Sequence, residues 1–241
     1  MPITICFDFG NTRYKAAVFE NNQFVEMVVL NDDNRETIEE LVQQYKPQYT
    51  ILSSVVNHQQ VVEDVLMHHT SFHKLSHITK LPFTTPVGKP ETIGADRLAL
   101  CAASVHLFPH KNNLAIGLGT CITFNFMNQY HQFLGGSISP GLEMRFKAMH
   151  GFTAKLPLIN MEWNFPLIGY DTKTNLLSGV AWGIAKEIDG VIDAYEEKFG
   201  NFNVLLTGGD TLHFAPLLKN QIFADPQLIF KGLYAISEYN R

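Results

Sequence analysis

The chain has 241 residues, 46% of them hydrophobic and 17% charged, with a net charge of -5 and an isoelectric point near 6.0. That length holds one large domain or two small ones with real cores, and the composition excludes a disordered chain. The acidic balance and scattered Lys and Arg argue against a nucleic-acid partner. No apolar run reaches membrane-spanning length, and no signal-peptide layout opens the chain, so a cytoplasmic protein with no membrane partner is expected.

Residues 3–9 are apolar and β-prone, the pattern of a strand buried on both faces, interrupted only by Asp8. Residues 14–19 read as the second arm of a tight hairpin. A carboxylate at the end of a core strand needs compensation, and a divalent metal such as Mg²⁺ is one such partner. Gly10 admits a ligand close to the backbone, while Asn11, Thr12 and Lys15 offer donors to phosphate oxygens. Asp-x-Gly-Asn is equally the sequence of an ordinary hairpin turn.

A third strand is expected over 24–30, then a helix over 36–45 capped from Asp32-Asp33-Asn34, with Ile38, Leu41, Val42 and Tyr45 on one face. A buried strand over 49–56 and a polar helix over 59–69 follow, which makes an α/β arrangement with a mixed sheet. His68, His69, His73 and His77 crowd one region, but no Cys joins them in a ligand pattern, so they read as a polar helix and loop. Cys6, Cys101 and Cys121 are odd in number and widely spaced, and are expected as reduced thiols.

Residues 86–97 form a rigid Pro/Gly loop leading into an Ala- and Leu-rich helix over 98–106. Asp96 lies near that helix start, where it is either a cap or, beside Gly94-Ala95 and Arg97, part of a seat for a small polar substrate. Residues 113–126 repeat the strand–turn–strand unit, with Gly119-Thr120 in the role of 10–12. Two similar halves clamping nucleotide phosphates are expected, divided at 112/113. A helix starting at Pro140 and ending at Gly151, a short loop over 153–157, a long helix over 172–199, and a strand leading to Gly208-Gly209 complete the reading.

These segments, in this order, resemble the type III pantothenate kinases (the Bvg accessory factor family) of the acetate-and-sugar-kinase/Hsp70/actin superfamily. The matching stretches are Asp8-Phe9-Gly10-Asn11-Thr12, Gly94-Ala95-Asp96-Arg97, Gly119-Thr120, Leu134-Gly135-Gly136 with Pro140-Gly141, and Thr207-Gly208-Gly209-Asp210. Each is weak alone; five in register are a strong signal.

The resemblance implies two ribonuclease-H-like halves and ATP-dependent phosphorylation of pantothenate, the first step towards coenzyme A. It places Asp8, Phe9, Gly10, Asn11, Thr12, Arg13, Tyr14 and Lys15 along the ATP phosphates, with Asp8 near Mg²⁺, and Thr120 on ATP from the other half. It places Gly94, Ala95, Asp96, Arg97 and Thr172 on pantothenate, with Asp96 as proton acceptor. It also implies a monovalent cation (K⁺ or NH4⁺) and a homodimer. Two positions depart from the family pattern: Gly117 stands where a cation-binding aspartate is usual, and Val87 where a substrate-contacting tyrosine is common. Gly117 leaves open a cation-independent enzyme, a weak one, or a nucleotide-binding regulator without turnover. Val87 leaves open a kinase of another small hydroxylated substrate.

Overall fold

The computed structural model describes residues 2–85 and 88–241, so Val87 lies outside the described residues. The chain divides into two compact units. The first groups the described residues up to Pro109 with His131–Phe133 and Gln227–Arg241; the second holds His110–Tyr130 and Leu134–Pro226. This differs from a single break at 112/113, because the last segment of the chain returns to the first unit.

The first unit is built on a five-stranded sheet of order β3-β2-β1-β4-β5. Its strands are β1 (Ile3–Phe9), β2 (Tyr14–Glu20), β3 (Gln23–Leu30), β4 (Tyr49–Ser54) and β5 (Ser71–Lys74). β1 pairs antiparallel with β2 and parallel with β4. Alternation along β1 sends Ile5, Phe7 and Phe9 to one face. There they join a core with Ile38, Leu41 and Val42 of α1 (Arg35–Tyr45) and Val62, Val65 and Leu66 of α2 (Gln60–His69). α1 starts where expected, with Asn34 Oδ1 accepting from the Thr37 N–H at 3.0 Å.

Thr4, Cys6 and Asp8 point to the opposite face. That face meets α3 (Ala95–Leu107) and α7 (Leu228–Tyr239), which pack on β1 and β4 and on each other. α7 was not foreseen. It crosses α3 at Gly232, where a β-carbon would lie 1.9 Å from the Ala99 carbonyl oxygen, so only glycine permits the approach.

The second unit has sheet order β10-β9-β6-β7-β8. Its strands are β6 (Asn113–Leu118), β7 (Cys121–Met127), β8 (Phe133–Pro140), β9 (Asn203–Gly208) and β10 (Phe223–Ala224). Leu114, Ile116, Leu118, Phe124 and Leu206 pack against α4 (Leu142–Gly151), α5 (Thr172–Phe199) and Phe214 of the short α6 (Thr211–Phe214). Pro140 ends β8 and Gly141 is the cap of α4, so the proline stands just outside the helix and not inside its first turn. Residues 152–171 form a longer irregular connection than the short loop expected at 153–157.

Candidate active site

In the first unit Asp8 is flanked in register by Lys15 of β2 and Ser53 of β4. Side chains directly opposite in a sheet share a face, so these three groups form a row on the α3 side. The eight residues expected along the ATP phosphates therefore separate. Phe9 is fully buried and packs at a tilt against the half-buried Tyr14 with ring centroids 4.6 Å apart, so these two rings belong to the core face. Gly10 closes the turn by donating its N–H to the Arg13 carbonyl (3.1 Å), and Asn11, Thr12 and Arg13 are exposed around it.

Asp96 is the second residue of α3, where both its own N–H and that of Arg97 donate to its carboxylate. Folding the carboxylate back in this way requires Gly94: a β-carbon there would lie 2.4 Å from Asp96 Oδ1. Ala95 is buried, and the Arg97 guanidinium lies 5.5 Å from the centre of the Phe133 ring. The Gly-Ala-Asp-Arg stretch thus has a structural reason for each of its first three residues. The helix begins three residues earlier than its composition suggested, because Gly94 serves as cap.

Burial pushes the Asp8 carboxyl up to about 7, Asp96's negative charge adds to the rise, and Lys15 and Ser53 oppose it. Asp8 keeps part of its surface accessible even though protein crowds it on all sides. Burial also raises Asp96, against the pull of the Arg97 and Asp96 N–H groups and the Arg97 charge. Ser53 Oγ lies near enough to favour ionised Asp8, yet it is buried without a hydrogen bond of normal geometry.

The second unit repeats the row without its charges. Gly117 of β6 sits between Thr123 of β7 and Thr207 of β9. Thr123 Oγ1 accepts from Asn125 Nδ2 (3.3 Å), and the buried hydroxyls of Thr207 and Thr211 have no partner among the described residues. The following turn closes through the Gly119 N–H to the Cys121 carbonyl. The Gly141 N–H donates to the Thr120 carbonyl at 3.0 Å, holding exposed Thr120 at the start of α4. A β-carbon on Gly141 would meet the Gly119 oxygen at 2.2 Å. Arg145 and Ser139 both bond Glu187, which fastens this corner to α5. Thr172 opens α5, exposed, behind a capping box between Asp171 and Thr174.

Sequence reasoning missed Ser53, Ser54, His58 and Glu63. Two serines ending a buried strand parallel to the Asp8 strand were the available signal. Among the described residues no group of three or more His, Cys, Asp or Glu could hold a metal, and His73 instead bonds Thr79 Oγ1 (2.9 Å). No helix among the described residues is long and apolar enough to cross a membrane.

Comparison with known proteins meets this geometry from a separate direction. The solved structure of a Baf family transcriptional activator from Campylobacter jejuni aligns with TM-score 0.61 at 21% identity, covering 98% of each chain. Component A of the (R)-2-hydroxyglutaryl-CoA dehydratase of Acidaminococcus fermentans aligns with TM-score 0.53 at 11% identity, covering 100% of this chain and 98% of that one. These likenesses show a shared fold. A Christiangramia forsetii protein named type III pantothenate kinase is 41% identical over 241 residues, 99% of each chain. One of the same name from Bacteroides fragilis is 39% identical over 246 residues, 99% of this chain and 98% of its own. The family model for type III pantothenate kinase matches residues 4–194. The chain belongs to the type III pantothenate kinase family.

Proposed function

We propose that the chain transfers the γ-phosphoryl group of ATP to the primary hydroxyl of pantothenate, with Asp96 accepting the hydroxyl proton. The observation that carries this reading is geometric: Asp8 stands in a row with Lys15 and Ser53 on the sheet face that α3 covers, and Asp96 sits in the first turn of α3. Phosphoryl transfer needs a place for the phosphates and a base for the acceptor, side by side. Burial raises Asp96, which strengthens it as a base, and two N–H groups hold its carboxylate in one orientation.

Lys15, opposite Asp8, supplies positive charge to the phosphates, and the exposed Asn11, Thr12 and Arg13 form the rim around them. Thr120 is assigned to ATP, and Gly94, Ala95, Arg97 and Thr172 to pantothenate. A buried carboxyl held up to about 7 beside an unpartnered serine hydroxyl suits Mg²⁺, which would neutralise phosphate charge. Asp8 is the residue that would hold it.

The implied K⁺ or NH4⁺ does not fit the second unit's row. Gly117 has no side-chain oxygen, and Thr123 and Thr207 offer only neutral hydroxyls. The row thus lacks the carboxylate that the family resemblance implies for the cation, and turnover is assigned to a cation-independent enzyme. Cytoplasmic location and a homodimer complete the proposal.

The test is a coupled assay for ADP release with pantothenate, run with and without K⁺. Turnover that needs pantothenate and ignores K⁺ is expected. ATP binding without turnover would instead favour a nucleotide-binding regulator, and turnover with other alcohols only would favour a different acceptor.

A further inference from the structure

A hydrogen-bonded chain that the reaction scheme does not use runs behind the first unit's site. Ser54 follows Ser53, so its side chain points to the opposite face from Asp8. Ser54 Oγ lies 2.9 Å from His58 Nδ1, and His58 Nε2 lies 2.9 Å from Glu63 Oε1 of α2. Lys74 of β5 donates to the same Glu63 oxygen at 2.6 Å. His58 is 7% exposed and Glu63 14%. Burial works to raise the Glu63 carboxyl, but the hydrogen bonds from Lys74 and His58 outweigh it and hold it ionised. An ionised carboxylate only accepts, so Nε2 carries a proton and the ring is fixed in orientation.

This chain grips a turn that touches both halves of the acid pair's surroundings. Val55 N–H donates to the Phe9 carbonyl (3.1 Å), at the base of the Asp8 hairpin. Val55 Cγ1 lies 3.9 Å from where a β-carbon on Gly94 would stand, against the segment that carries Asp96. The His58 ring packs edge-on to Phe9, with centroids 5.8 Å apart. The far end of the turn is tied down by Asp33, which accepts from the Gln59 N–H at 2.7 Å.

We infer that His58, braced by Glu63, is a positioning residue that sets the spacing between the Asp8 hairpin and Asp96 through Val55. The inference rests on the function proposed above. In-line transfer is sensitive to misplacement of about 1 Å, so loosening the brace lowers the chemical step more than it lowers binding.

The experiment compares wild type, His58→Ala, His58→Gln and Glu63→Gln in the ADP-release assay. Calorimetry with a non-hydrolysable ATP analogue and Mg²⁺ counts binding sites in each. Expected for His58→Ala is a fall in kcat of about tenfold or more, with KM for both substrates within about threefold and binding stoichiometry unchanged. His58→Gln, which can still donate to Glu63, recovers part of the loss. A kcat within twofold of wild type, a KM that rises in step, or a stoichiometry that falls with kcat overturns the inference. If His58→Ala does not fold, Glu63→Gln decides by the same criteria. A wild type that never phosphorylates pantothenate sinks the proposed function; an active wild type with an unaffected His58→Ala sinks the brace alone.

Discussion

The two hairpins, Asp8 to Lys15 in one unit and Gly117 to Thr123 in the other, are one backbone device carrying opposite chemistry. Each central strand pairs antiparallel with the next strand and parallel with a later one, and each places three side-chain positions in a row. In the first unit the row is Asp, Lys and Ser; in the second it is Gly, Thr and Thr. Repeating the fold therefore did not repeat the side-chain chemistry of the row. The first hairpin carries ionisable groups at a cost in stability, while the second offers neutral hydroxyls and a tightly packed turn.

The largest expected effect comes from removing the charged half of this contrast. Asp96→Asn is expected to keep the fold and nucleotide binding and to lose about 10²–10⁴-fold in kcat. Turnover within a few-fold of wild type in the ADP-release assay would remove Asp96 from the chemistry.

Next is a packing test of the second hairpin. Gly141→Ala would drive a methyl into the Gly119 and Thr120 carbonyls, at 2.2 and 2.6 Å, and is expected to destabilise by about 1–3 kcal/mol. Gly10→Ala meets only the Arg13 carbonyl at 3.6 Å, an ordinary contact, and is expected to keep stability nearly unchanged. Denaturant midpoints of the two variants, read side by side, check the asymmetry.

A pH series probes the electrostatic cost. The folded value for Asp8 is raised from 3.8 to about 7, so the folded protein binds more protons than the unfolded chain within that window. The group's contribution is most favourable below the lower value, falls as pH rises through the window, and is a constant penalty above it. Nucleotide-free Asp8→Asn is therefore expected to be more stable than wild type at pH 8, by about 1–3 kcal/mol, with the gap closing towards pH 4. A gap that does not change between those pH values would contradict the assignment.

The smallest effect is expected from writing the first row's charge into the second. Gly117→Asp should create a K⁺ response in turnover where wild type has none. Flat K⁺ titrations of both proteins would count against equating Gly117 with Asp8.

Much of this was legible in the sequence because local pattern and tertiary role agreed. The β1–β2 hairpin, the Asn34-capped α1 and the long α5 ending at Gly200 all follow from periodicity and caps. The C-terminal helix was missed although residues 228–239 carry few charges and many apolar side chains; its place beside α3 depends on Gly232, a contact between distant segments. Within the site, Asp8 announced itself as a carboxylate in a core strand. Its coupling to Asp96 spans most of the first unit's sequence and came only through the family resemblance. His58 sat unremarked in a polar stretch, since a histidine's partners are set by folding and not by its neighbours in the chain.

The return of residues 227–241 to the first unit has a consequence for synthesis. A ribosome makes the strands of that unit before the helix that covers them, with the segment of the second unit made in between. Until then the surface of β1 and β4 that α7 occupies has no cover, and the acid pair is borne by an unfinished layer. The first unit is therefore complete only once residues 227–241 join those up to 109, whereas the second is assembled almost entirely from one stretch of chain.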